Sequence, residues 1–198
     1  MNRENESMLE ITRSGPVTRV VLDRPRVHNA LDEGLMRAIH DAFRSIRDDD
    51  ETRVVVLAGN GKSFCAGADV HWMKRMAGYS LEENVRDAAL LPNMLAAIHA
   101  CPKPVIARVH GAALAGGIAL AAVSDIVVAA PGAVFGVTEV KLGLVPATIA
   151  PYVLLKIGPS HARDLFLTGE RFSAEHAARI GLVHHVVPAE ELDAMIDR

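Results

Sequence analysis

At 198 residues, half of them hydrophobic and with a formal net charge of -3, the chain is long enough to bury a sizeable core in one domain spanning 1–198. Its charges are mixed in sign, no basic block occurs, and aromatics are only 4% of residues. Neither phosphate neutralisation nor base stacking therefore has a platform, and a nucleic-acid partner is not expected. Two cysteines, Cys65 and Cys101, are too few for a disulfide framework. The start, Met1 Asn2 Arg3 Glu4 Asn5 Glu6, lacks the apolar core of a secretory signal. No apolar stretch is clean enough to span a membrane, so a cytoplasmic protein is expected.

In chain order, residues 8–13 and 17–23 flank Ser14 Gly15 Pro16 and read as a β-hairpin, ended by Arg24 Pro25 Arg26. Asp32 and Glu33 open a helix in which Leu35, Met36, Ile39, Ala42, Phe43 and Ile46 recur at helical spacing. The acidic run Asp48 Asp49 Asp50 Glu51 then reads as a solvated turn. Next, the β run Arg53 Val54 Val55 Val56 Leu57 Ala58 leads into small residues, Gly61 Lys62 Ser63 Phe64 Cys65 Ala66 Gly67 Ala68. Asp69 follows where a helix beginning at Val70 needs its N-cap. Small side chains let a ligand approach the backbone, and N–H groups at a helix start are unsatisfied donors. The segment reads as half of an oxyanion hole or, taken alone, as an ordinary strand-to-helix turn.

A helical stretch from Leu81 to about Ala100 is stopped by Pro102 and Pro104, with Leu90, Leu91, Met94, Leu95 and Ile98 as its buried face. From Val105 the strand, glycine-rich turn and small-residue helix recur, with Gly116 and Gly117 at the turn. Two such units can aim two backbone donors at one oxygen. Residues 124–130 form another strand. Glu139 then stands as a lone carboxylate in the apolar, glycine-punctuated segment from Phe135 to Pro146, a candidate acid/base group. Helices follow over 149–157, from about Ser160 to Leu167, and from Ser173 to Gly181; a short strand over 182–187 and a last helix from Pro188 to Arg198 complete the chain. Repeated β-turn-α units also admit a plain doubly wound sheet.

Five stretches in register carry a wider resemblance: Asn29 Ala30 Leu31; Phe64 Cys65 Ala66 Gly67 Ala68 Asp69; His110 Gly111 with Gly116 Gly117 and Asp125 Ile126; Phe135 Gly136 through Gly143 Leu144; and Ala177 to Val183. Over nearly its whole length the chain resembles the crotonase (enoyl-CoA hydratase/isomerase) superfamily. The resemblance implies an α/β spiral of ββα units, acyl-CoA thioester as substrate with no separate cofactor and no metal, and, where the family's C-terminal segment is present, a homotrimer or hexamer. It also implies further C-terminal lid and trimerisation helices, largely absent from this sequence. The Ala68 and Gly116 N–H groups become the oxyanion donors and Glu139 the catalytic carboxylate. Ala30, Ala66, Gly67, Asp69 and Val70 become the thioester and pantetheine lining, and Arg26 a candidate phosphate contact. Where many hydratases carry a second glutamate, this chain has Ala119. A single-glutamate hydratase, a double-bond isomerase and a catalytically weak acyl-CoA-binding member all remain open.

Within the superfamily, Trp72 Met73 Lys74 Arg75 Met76, Tyr79 Ser80 with Glu82 Glu83 Asn84, and Val145 Pro146 Ala147 Thr148 Ile149 Ala150 Pro151 Tyr152 look most like bacterial 3-methylglutaconyl-CoA and γ-carboxygeranoyl-CoA hydratases. A substrate with a distal carboxylate needs a cation, for which Lys74 and Arg75 are the candidates. Three decoys are set aside. Gly59 Asn60 Gly61 Lys62 Ser63 lacks the first glycine of a P-loop. His184 and His185, adjacent on a strand, point to opposite faces. Cys65 has no base beside it and reads as a small buried thiol.

Overall fold

The computed structural model describes residues 8–198, so the polar amino-terminal stretch lies outside the described residues. Strands β1 (Leu9–Ser14) and β2 (Val17–Leu22) pair antiparallel. From β2 onward the main sheet runs parallel through β3 (Val54–Gly59), β4 (Val105–Val109), β6 (Ile126–Ala129) and β9 (His185–Val186), in the order β1-β2-β3-β4-β6-β9. Parallel neighbours need long crossovers. Helix α1 (Glu33–Arg47) supplies the one from β2 to β3 and buries the six apolar residues of its predicted stripe. Val55, Val56 and Leu57 are fully buried, as expected of a strand covered on both faces.

A second sheet, β5-β7-β8, is built from Ala112–Leu114, Val134–Gly136 and Arg171–Ser173. It rules out a plain doubly wound sheet. The chain alternates between the two layers: β4, β5 and helix α5 (Gly116–Val123), then β6, β7 and helix α6 (Ala150–Thr168). The turn after β3 enters the same pattern through an isolated parallel bridge from Cys65 to Ala113, before helix α2 (Val70–Met76). These are the repeating units that the family resemblance implies.

Three elements differ from the sequence expectation. The helix expected over 81–100 divides into α3 (Leu81–Ala88) and α4 (Leu90–His99). Pro92 has no N–H to return to residue 88, and its ring crowds that carbonyl. By contrast, the helices expected over 149–157 and from about Ser160 do appear, as the two arms of α6, which bends at Gly158, where φ is +76° before Pro159. The strand expected over 182–187 is only His185–Val186; the terminal helix α8 (Leu192–Ile196) is preceded by a 3-10 turn at Ala189–Glu191. Helix α7 (Ala174–Arg179), between α6 and β9, is capped by the Ser173 hydroxyl, which accepts from the His176 N–H. Among the described residues no helix is long and apolar enough to cross a membrane.

Candidate active site

The first turn is fixed by buried polar contacts. Asn29 is fully buried at φ +55°. Its amide nitrogen donates to the carbonyls of Asn60 and Ser63 at 2.9 and 2.8 Å, and its oxygen accepts from the Arg24 N–H at 2.8 Å. The Arg24 guanidinium reaches Asp32 at 2.8 Å and Asp69 at 3.1 Å, and also donates to the Ala30 carbonyl. Both aspartates are N-caps. Asp32 accepts from the Leu35 N–H of α1, and Asp69 from the His71 and Trp72 N–H groups of α2. Burial works to raise the Asp69 pKa, yet those N–H bonds and Arg24 hold it below the usual carboxylate range.

Ala68 sits in a short parallel bridge with Leu31. The Leu31 N–H donates to the Gly67 carbonyl at 2.7 Å, and the Asp69 N–H to the Leu31 carbonyl at 2.8 Å. Residues 67 and 69 therefore turn their bonding groups toward Leu31, and alternation along an extended segment sends the Ala68 N–H the other way. The second turn ends at Ala115, whose φ of +48° and ψ of -112° are sparsely populated for a residue with a Cβ and cost about 1–3 kcal/mol. The Ala115 N–H donates to the Gly136 carbonyl at 2.8 Å, and its own carbonyl accepts from Ile118 and Ala119. This leaves Gly116 as the first residue of α5, with an amide that the helix cannot satisfy. Among the described residues neither the Ala68 nor the Gly116 N–H meets an acceptor.

The two turns touch. A Cβ added to Gly117 would lie 2.1 Å from the Cys65 carbonyl oxygen, so only glycine lets α5 start this close to the first turn. Strand β5, which leads to Gly116, pairs in parallel with β7, which leads to Glu139; Leu114 is opposite Gly136. Both groups thus emerge from the same end of neighbouring strands, where α/β folds place their sites. Glu139 opens a 3-10 turn (Glu139–Leu142), and its Oε2 is buried without a hydrogen-bond partner. Burial raises its pKa, against the opposing pull of its own and the Thr138 backbone N–H.

A cavity of about 470 Å³ joins these groups. Ala66, Ala68, Val70, Gly116 and Glu139 border it, with Leu31, Met36, Leu91 and Ile149 among its apolar walls. Arg26, Ala30, Gly67 and Asp69 do not border it. Arg26 is exposed, the Ala30 carbonyl takes the Arg24 bond, and Asp69 is spent on its cap and on Arg24. The Gly67 N–H is turned to the Cys65 thiol, which burial pushes up to about 12. Of the two cation candidates, Arg75 grips Glu33 through two bonds of 3.0 and 2.8 Å, and Lys74 is exposed away from the wall. Sequence reasoning passed over one polar group on that wall: Asp87, whose Oδ1 accepts from the Trp72 indole N–H at 3.1 Å. The two residues are fifteen apart on different short helices, and no sequence periodicity links them. Among the described residues no cluster of His, Cys, Asp and Glu has metal-binding geometry.

Comparison with known proteins agrees with this fold. The enoyl-CoA hydratase/isomerase family model matches residues 12–196. A carnitinyl-CoA dehydratase from Salmonella typhi is 38% identical over 188 residues, covering 93% of this chain and 69% of the relative. Crystal structures of enoyl-CoA hydratases from Mycobacterium smegmatis and Shewanella pealeana are each 38% identical, with TM-scores of 0.92. The matches cover 97% and 96% of this chain and 74% and 72% of those chains, respectively. The chain therefore belongs to the enoyl-CoA hydratase/isomerase family of the crotonase superfamily and is an enzyme of its hydro-lyase kind.

Proposed function

We propose that the protein adds water across the α,β double bond of a short, branched enoyl-CoA, with the thioester oxygen at the Ala68 and Gly116 N–H groups and Glu139 moving the proton. The observation that carries this reading is the shared cavity: two amides without acceptors and a half-buried carboxylate with a free oxygen line one apolar space. As the water oxygen bonds to Cβ, its proton passes to Glu139 and the π pair moves toward the thioester, creating an enolate. Each preorganised donor then contributes about 3–4 kcal/mol to that charged state. The proton on Glu139 passes to Cα and regenerates the carboxylate. A raised pKa suits a group that must accept and return a proton near neutrality.

The apolar walls favour a hydrocarbon acyl group. Trp72, Met73 and Met76, part of the resemblance to 3-methylglutaconyl-CoA hydratases, do border the cavity, and that substrate is the finer form of the proposal. Its distal carboxylate finds no cation among the described wall residues, which weights the proposal toward an uncharged branched chain. The test is ultraviolet loss of the enoyl thioester over a panel of CoA esters with product identification. Hydration by the wild type and its loss in Glu139→Gln are expected. A migrated double bond without added water would replace this reading by isomerisation, and an unchanged Glu139→Gln rate would remove Glu139 from the chemistry.

A further inference from the structure

Among the described residues three buried side-chain atoms lack a hydrogen-bond partner: Glu139 Oε2, Asp87 Oδ2 and His110 Nδ1. Glu139 and Asp87 border the same cavity. Native structures rarely leave a buried carboxylate oxygen unsatisfied, and those that do commonly reserve it for a water or a reacting group. Asp87 is the one buried residue of α3, at 8% exposure. The indole of Trp72, itself buried, fixes its Oδ1 and leaves Oδ2 as an acceptor with no donor from the protein. Ala119, fully buried in α5, brings only a methyl group.

Resting on the hydration reading above, we infer that Asp87 is the second acceptor for the water that adds to the double bond, paired with Glu139 across the cavity. A water has two hydrogens to place. With one on Glu139 and the other on Asp87 Oδ2, its lone pair is left to face Cβ. When the O–Cβ bond forms, the O–H bond toward Glu139 breaks and that proton goes to the glutamate. The π electrons pass to the enolate, and Glu139 then protonates Cα. Asp87 neither gains nor loses a proton; it holds the O–H that becomes the product hydroxyl. The pair thus supplies from α3 what a single glutamate lacks, control of the nucleophile's orientation.

Asp87→Asn is the test, because its side-chain oxygen can still accept from Trp72 while an NH2 group replaces the acceptor turned to the water. Hydration kcat is expected to fall about a hundredfold, the scale of a misplaced reactant, while KM changes less than about twofold. Exchange of the α-proton of butyryl-CoA in D2O uses Glu139 and the oxyanion donors but no added water. It is expected at the wild-type rate in Asp87→Asn and to be absent in Glu139→Gln. Wild-type hydration in Asp87→Asn, or equal loss of hydration and exchange, would overturn the assignment. A wild-type enzyme that exchanges without hydrating would overturn the hydration reading and the Asp87 role with it, leaving the enolate site intact.

Discussion

Gly116 supplies one of the two backbone donors, and alanine and proline there differ in whether that donor survives. Proline and alanine both add a Cβ there, but only proline removes the N–H. Gly116 is the first residue of α5 and is not in the left-handed region, and the first helical position is where proline's fixed φ is tolerated. The added Cβ would lie 2.6 Å from Leu31 Cδ1 and 4.0 Å from the Gly67 Cα. The near contact is thus with the end of a side chain, which must move by roughly 0.8 Å at about 1–3 kcal/mol of stability. Both variants carry that cost, and proline adds the crowding of its ring against Ala115, whose ψ of -112° lies outside the extended region favoured before proline. Deleting one oxyanion donor removes about 2.7–4 kcal/mol from the transition state, or about 10²- to 10³-fold in kcat. Gly116→Ala should therefore retain measurable hydration, and Gly116→Pro should be slower than Gly116→Ala by that factor, with thermal unfolding confirming that both are folded. Equal rates in the two folded variants would refute an oxyanion role for this amide.

Other perturbations follow from the same geometry. Gly117→Ala would place its Cβ against the Cys65 carbonyl, a backbone atom, and force the turns apart by roughly 1.3 Å, enough for about a hundredfold loss of kcat; Gly132→Ala, with nothing within 4 Å, should match the wild type in kcat and melting temperature. Glu139→Gln should abolish hydration yet raise stability at neutral pH. Because burial raises the folded pKa above its ordinary 4.5, ionisation costs stability as pH rises through and beyond that value, and the glutamine removes the cost. Melting curves should show the gain at pH 7 and none at pH 4, and an equal gain at both would contradict the assignment. Arg24→Met should destabilise by about 2–3 kcal/mol in urea titration, since it leaves two poorly exposed N-cap carboxylates without their cation. A change under 0.5 kcal/mol would show that the caps do not need it.

Local signals made much of this legible in the sequence. The stripe from Leu35 to Ile46, the Asp69 cap and the helix starts at Asp32 and Ser173 depend on neighbours a few residues away, and all appear as read. The two small-residue turns and Glu139 were also legible, because close backbone approach restricts which residues can stand there. Contacts between distant segments were not. The Arg24 bridge joins residues 24, 32 and 69, whereas the arginine alone marks only a strand end. The Asp87–Trp72 pair depends on how α3 is set against α2. Arg75 has the right charge for a distal carboxylate, but Glu33, forty-two residues earlier, occupies it.

The most direct test of the central claim is the carbonyl stretch of a 13C-labelled enoyl-CoA thioester bound to Glu139→Gln, where chemistry is blocked but both amides remain. Two N–H groups converging on the oxygen polarise the C=O bond, so the band should lie at lower wavenumber than for the same thioester in water and should move back toward that value when Gly116→Pro is added. A bound thioester whose carbonyl vibrates as it does in water would contradict the account.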